Sequence, residues 1–158
     1  MNRESCRYSI AQIARVVAVL VLLVSAATSI GFAGERRVVK LPGTAALPFS
    51  DGVIAGDTLY VAGQEGIDAN GKLVPGGIGP ESKAALARIE SIVLAAGFDM
   101  KDIVSVTVYL ADVHDFPEMN QAYKSVMPDP KPARATVQVA ALVNNARMEI
   151  SAIAVKRK

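Results

Sequence analysis

Few residues of this 158-residue chain have the chemistry of a reactive site. Arg134 and Glu149 lie in two β-rich runs near the end of the sequence, residues 132–142 and 147–155. The only histidine, His114, follows Asp112 where a strand connects to a helix, and we expect it to be a solvated loop residue. The sequence therefore does not favour a Ser-His-Asp triad or a histidine-based metal site. Arg134 and Glu149 are the candidate reactive residues, and the question is which elements position them.

The two β-rich runs predict a terminal hairpin that turns at Asn144-Asn145. In that register Arg134 faces Val155 and Ala140 faces Glu149. Arg134 and Glu149 then share a sheet face but lie ~20 Å apart, at ~3.3 Å per residue. The opposite face is apolar and suited to covering by helices: Ala135, Val137, Val139, Ala141, Met148, Ile150, Ala152 and Ala154.

Two interpretations of this mixed face remain open. A symmetric contact between subunits could bring Arg134 of one chain near Glu149 of another. Alternatively, Arg134 is a rim residue in a weak surface ion pair that contributes little. Within one chain the two side chains are not expected to meet.

The rest of the chain predicts helices packed on a sheet. Two β-rich runs, residues 47–55 and 58–64, flank the turn pair Gly56-Asp57 and predict a hairpin. Residues 80–96 carry an apolar helical stripe that ends at Gly97, and residues 103–110 alternate as a strand. A second helix begins with Asp115 as its cap and runs to about Val126.

The N-terminal 33 residues are typical of a secretory signal peptide. Three arginines precede an apolar run at residues 16–27, and small residues, Gly31 and Ala33, suit a cleavage site. The alternative is an uncleaved membrane anchor.

The leader affects the charge balance of the chain. Three of the 17 basic and one of the 15 acidic residues lie in this segment, so 14 of each remain after cleavage. The only cysteine, Cys6, also leaves, which excludes cysteine catalysis, and balanced charge does not favour nucleic-acid binding.

Several motifs together resemble the Rid (YjgF) family of reactive intermediate imine deaminases. They are Leu59-Tyr60-Val61-Ala62-Gly63-Gln64, Leu110-Ala111-Asp112 with Asp115-Phe116 and Asn120, Pro132-Ala133-Arg134, residues 137–142, and Met148-Glu149-Ile150. The resemblance covers residues 47–155, so we expect a leader at 1–33, an extension at 34–46 and a Rid-like domain at 47–158.

The resemblance implies an α+β domain with a chorismate-mutase-like fold, in which a mostly antiparallel sheet carries two helices on one face, and a homotrimer around a central barrel. It implies cofactor-independent hydrolysis of enamines and imines such as 2-aminoacrylate to 2-keto acids and ammonia, with no metal. Arg134 matches the arginine that binds the substrate carboxylate, and Glu149 the glutamate that positions water. Gly63, Thr136 and Asn120 match positions at or near the cleft, and Phe49 replaces a tyrosine of many members.

Two other functions remain possible at this stage. The clefts could hold a small carboxylate without turnover, and ribonuclease activity is a less favoured alternative. The expected partners are an imino or keto acid and two further copies of the chain, with no nucleic acid and no stable membrane contact after cleavage. The leader implies a periplasmic or secreted protein, or a membrane-anchored one if it is not cleaved.

Overall fold

The computed structural model describes residues 36–44 and 47–157. All of them belong to one compact unit, Gly34–Lys158. The predicted leader at residues 1–33 lies outside the described residues. Within the described ranges, no helix is both long enough and apolar enough to cross a membrane.

Six strands form a single sheet in the order β1-β2-β3-β6-β4-β5. The strands are β1 Arg37–Val39, β2 Gly52–Ala55, β3 Thr58–Glu65, β4 Ile103–Leu110, β5 Ala133–Gln138 and β6 Met148–Val155. All neighbouring pairs are antiparallel except β4 and β5, which are parallel. The predicted hairpin around Gly56-Asp57 is confirmed as β2 and β3. The predicted extension contributes β1, which pairs with β2 at the sheet edge.

Two helices, α1 Ile78–Ala95 and α2 Phe116–Val126, pack together on one face of this sheet. The predicted stripe of α1 is buried, including Leu86, Ile89 and Val93. Gly97 follows α1 with φ +79, a conformation that favours glycine and ends the helix where the sequence predicts. From the sheet, β4 and β6 present alternate apolar residues to the helices: Val106, Val108, Leu110, Met148, Ile150, Ala152 and Ala154. This helix-on-sheet packing confirms the predicted fold class.

The predicted terminal hairpin is wrong, because β5 and β6 are not neighbours. Strand β4 lies between them, parallel to β5 and antiparallel to β6. Helix α2 carries the chain from β4 back to the start of β5, and such a crossover delivers a parallel strand. Asn144 and Asn145 do have positive φ, but they lie in a short 3-10 turn within a longer connection, residues 139–147. A local turn signal therefore did not define the strand pairing.

This topology also overturns the predicted sharing of a face by Arg134 and Glu149. Arg134 pairs with Val106 of β4, whose other partner, Ala152 of β6, is buried beneath the helices. Glu149 pairs with Tyr109, three residues along β4 from Val106. Since paired residues point to the same face and successive residues alternate, Arg134 points to the helix-covered face and Glu149 to the opposite one. Val137, predicted to be covered, is 46% exposed on the helix-free face.

Asp115 is the N-cap residue of α2, as predicted, but its side chain makes no capping hydrogen bond. Its carboxylate accepts hydrogen bonds from Nε (3.0 Å) and Nη2 of Arg147 instead. This ion pair ties the start of α2 to the residue that precedes β6.

Candidate functional site

A cleft of about 520 Å³ opens where β3 ends and β6 begins. Residues from strands, loops and helix α1 line it: Leu47, Phe49, Asp51, Ala62, Gly63, Gln64, Glu65, Ile67, Arg88, Val143, Asn144 and Glu149. Three of the predicted site residues, Phe49, Gly63 and Glu149, therefore share one cavity. Phe49 is 52% exposed and gives the cleft an aromatic wall.

Glu149 lies directly over Gly63. A Cβ atom added at Gly63 would come within 1.7 Å of Oε1 of Glu149, far inside van der Waals contact. The register of β3 against β6 shifts between Val61 and Gln64, which is where the glycine occurs. Because Gly63 has no side chain, the Glu149 carboxylate can occupy the space above this irregularity.

A second carboxylate, that of Glu65, lies next to Glu149. Glu65 and Glu149 are paired across the antiparallel strands β3 and β6, so their side chains point to the same face. Nδ2 of Asn144 donates a hydrogen bond of 2.8 Å to Oε2 of Glu65. Burial raises the pKa of Glu65, the hydrogen bond from Asn144 opposes that rise, and the charge of Glu149 adds to it. The cleft therefore holds two interacting carboxyl groups.

Buried polar contacts hold two further residues of the cleft lining, Gln64 and Asp51, in place. Gln64 is buried, and its Oε1 accepts a 2.9 Å hydrogen bond from Nε of Arg88 on α1. Asp51 is also buried, and its Oδ2 accepts from the amide of Leu41 (2.9 Å) and the hydroxyl of Thr44. These contacts anchor Gln64 to α1 and Asp51 to the segment that precedes β2.

Arg134 belongs to a separate cluster beneath α2. Its Nη2 donates a 2.6 Å hydrogen bond to Oδ1 of Asn120. Its guanidinium carbon lies 4.5 Å from the ring centroid of Tyr123 and 5.7 Å from that of Phe116. Burial raises the pKa of Tyr123, and the charge of Arg134 opposes the rise. Thr136 points to the same face, and its hydroxyl is buried with no hydrogen-bond partner among the described residues.

The predicted site residues thus fall into two groups within one chain. Phe49, Gly63 and Glu149 lie in the cleft, and Arg134, Asn120 and Thr136 form what we call the arginine cluster. Four residues of these two groups were not among the predicted site residues: Glu65, Gln64, Arg88 and Tyr123. Glu65 could have been found from its position immediately after Gly63-Gln64, but only if the pairing of β3 with β6 had been known.

Buried contacts hold Glu149 in position. Oε1 of Glu81, in the first turn of α1, accepts hydrogen bonds from the amides of Arg147 (2.7 Å) and Met148 (3.2 Å). Gly66 allows this close approach, because a Cβ there would lie 2.2 Å from the backbone oxygen of Glu81. The start of α1 therefore fixes the start of β6, one residue before Glu149.

Fold and site together define a class: a small α+β domain that carries an acidic cleft at one end of its sheet and an arginine cluster at its β5 edge. The family model described as endoribonuclease L-PSP matches residues 41–156. The chain belongs to this family, which confirms the resemblance to Rid (YjgF) proteins.

Individual relatives agree with this assignment. The 2-iminobutanoate/2-iminopropanoate deaminase of Bos taurus is 48% identical over 110 residues, which span 69% of this chain and 80% of that protein. The crystal structure of RidA from an Antarctic Psychrobacter matches with a TM-score of 0.71 and 32% identity, covering 76% of this chain and 99% of that one. E. coli TdcF with bound serine matches with a TM-score of 0.71 and 31% identity, covering 77% and 99%.

Proposed function

We propose that this protein hydrolyses short-lived 2-imino acids and their enamine tautomers to 2-keto acids and ammonia. Relatives named for that activity support the reaction class. The observation that carries the proposal is the presence of two complementary half-sites, an arginine cluster for an anion and a cleft with carboxylates for water activation. No step of this hydrolysis needs a metal or an organic cofactor.

Arg134 is the group that would bind the substrate carboxylate. Asn120 occupies one N–H of the guanidinium, and the rings of Tyr123 and Phe116 flank it. The remaining N–H groups of the planar fork suit a carboxylate, which can accept two parallel hydrogen bonds. The buried hydroxyl of Thr136, on the same face, can add a further hydrogen bond.

Glu149 is the group that would position and deprotonate water. Its carboxylate lies directly over the backbone of Gly63, where no side chain occupies the space. A carboxylate in this position can accept a proton from water as the oxygen adds to the imine carbon. Phe49 offers an apolar wall to the short side chain of the substrate.

We propose further that the half-sites combine between chains of a homotrimer. Arg134 and Glu149 point to opposite faces of their own sheet, so one chain alone does not present both to one ligand. The helix-free face is partly apolar, with Tyr60 50% and Val137 46% exposed, and such a face is suited to burial against another subunit. A molar mass of three chains by light scattering is expected, and a monomer mass would contradict the trimer.

The decisive assay supplies 2-iminopropanoate, generated in situ from alanine by an amino-acid oxidase, and measures ammonia and keto-acid release above the uncatalysed rate. We expect acceleration by the wild type and loss on the order of 100-fold in Arg134→Ala and in Glu149→Gln. Lys124→Ala, which removes an exposed cation from α2, is the matched control and should keep full activity. No acceleration with any of several imino acids would refute the deaminase.

A binding protein without turnover is the second candidate. The related TdcF structure holds serine, a small amino acid with a carboxylate. If the same clefts only bind such acids, calorimetry will detect serine or pyruvate binding that Arg134→Ala abolishes, while imino acids decay at the uncatalysed rate. Cleavage of RNA by the purified trimer, with loss in Glu149→Gln, would instead support the family's ribonuclease description.

We also propose that residues 1–33 direct export and are removed. The basic residues, apolar run and small residues of this segment support the proposal. N-terminal sequencing of the exported protein should begin near Gly34. An intact Met1 in the membrane fraction would favour the anchor alternative.

A further inference from the structure

Glu65 lies outside the predicted site, but it is the strand partner of Glu149. The two are direct cross-strand partners on one sheet face, a geometry in which Cβ atoms lie ~5 Å apart. Both side chains line the same cleft. Within the described residues neither carboxyl group forms a salt bridge, and the hydrogen-bond partner of Glu65 is the neutral amide of Asn144.

Two unneutralised carboxylates on facing positions repel each other, and a proton bound to one of them relieves that repulsion. Of the other ionisable groups that line the cleft, Asp51 accepts hydrogen bonds from the Leu41 amide and the Thr44 hydroxyl, and Arg88 donates to Gln64. Burial and the charge of Glu149 raise the pKa of Glu65, against the hydrogen bond from Asn144. Of the two facing carboxyl groups, Glu65 is thus the one whose burial and neighbouring charge favour the protonated form.

We propose that Glu65 is a second catalytic carboxyl group, which donates a proton to the imine nitrogen while Glu149 takes one from the attacking water. This role rests on the proposed deaminase function. A pair of carboxyl groups held in opposite protonation states is a common arrangement for acid-base catalysis.

The reaction balances with these two groups alone. As the water oxygen bonds to the imine carbon, Glu149 accepts a water proton, the π electron pair of C=N moves to nitrogen, and Glu65 protonates that nitrogen. The resulting carbinolamine then collapses. Its hydroxyl returns a proton to Glu65, its amine takes the proton held by Glu149, the C–N bond breaks, and ammonia leaves. One water is consumed, and both carboxyl groups regain their starting states.

Glu65→Gln tests this role, because glutamine keeps the size of the side chain and can accept the hydrogen bond from Asn144 but has no acidic proton. We expect kcat for 2-iminopropanoate to fall on the order of 100-fold with KM little changed. We also expect the decline of the rate at high pH, where Glu65 loses its proton, to disappear from the profile. Glu65→Asp should recover part of the rate, and Glu90→Gln, an exposed position on α1, should match the wild type.

A second measurement does not depend on turnover. In ¹³C NMR titrations of the full chain, Glu65 should titrate above its ordinary pKa, and its pKa should fall in Glu149→Gln. An ordinary Glu65 titration, or wild-type rate and pH profile in Glu65→Gln, would overturn the proposal while leaving the deaminase intact. A wild type that does not hydrolyse imino acids would overturn both.

Discussion

Arg134 and Glu149 belong to the same sheet but point to opposite faces of it. The register of β5 against β4 turns Arg134 towards α2, and the register of β6 against β4 turns Glu149 towards the helix-free face. Each residue has its own neighbours, Asn120 and Tyr123 for the arginine, Gly63 and Glu65 for the glutamate. One chain alone therefore does not present both side chains to one ligand, which is why we propose a site completed by a second chain.

Gly63→Ala should inactivate the site without unfolding the protein. The added Cβ would lie 1.7 Å from Oε1 of Glu149 and must push the carboxylate away from its position. A displacement of about 1 Å at a catalytic group can cost on the order of 100-fold in rate. The measurement is kcat with 2-iminopropanoate, with Lys124→Ala, at an exposed position outside the cleft, as the control. Wild-type turnover in Gly63→Ala would show that Glu149 needs no fixed position.

Glu81→Ala should destabilise the fold, because it leaves the amides of Arg147 and Met148 without their acceptor. An unsatisfied buried donor costs about 1–3 kcal/mol, so we expect a loss of at least ~2 kcal/mol in the free energy of unfolding. Urea denaturation monitored by circular dichroism measures it. Glu90→Ala, at an exposed position of the same helix, should change stability little. Equal stability of the two variants would mean that Glu81 does not hold β6.

Asp102 should make stability depend on acid pH. Its burial raises the pKa, but hydrogen bonds from the amide of Asp99 and from Arg157 outweigh this, so the pKa lies below the unfolded value near 3.8. A carboxyl group with a lowered pKa contributes stability above the unfolded pKa and loses it as pH falls through the folded pKa. Asp102→Asn should therefore be less stable than the wild type at pH 6, and the gap should narrow below pH ~4. A gap independent of pH would exclude this electrostatic origin.

The sequence predicts much of this fold because its local signals agree with the tertiary structure. The stripe of α1, the alternation of β4 and the turn at Gly56 are each encoded within short windows. The placement of β6 between β3 and β4 is not, since it pairs residues from distant parts of the chain, such as Glu65 with Glu149. Family motifs in the sequence therefore pointed to Arg134 and Glu149, but the predicted pairing put Arg134 on the wrong face of the sheet, and Glu65 was missed.

The central claim is that Arg134 of one chain and Glu149 of another form one site, and subunit complementation tests it most directly. Arg134→Ala and Glu149→Gln chains are each expected to be inactive alone. Unfolded together in equal amounts and refolded, they should regain about a quarter of the wild-type deaminase activity, because in random cyclic trimers that share of interfaces joins an intact arginine to an intact glutamate. A mixture as inactive as its two components would contradict a site shared between chains.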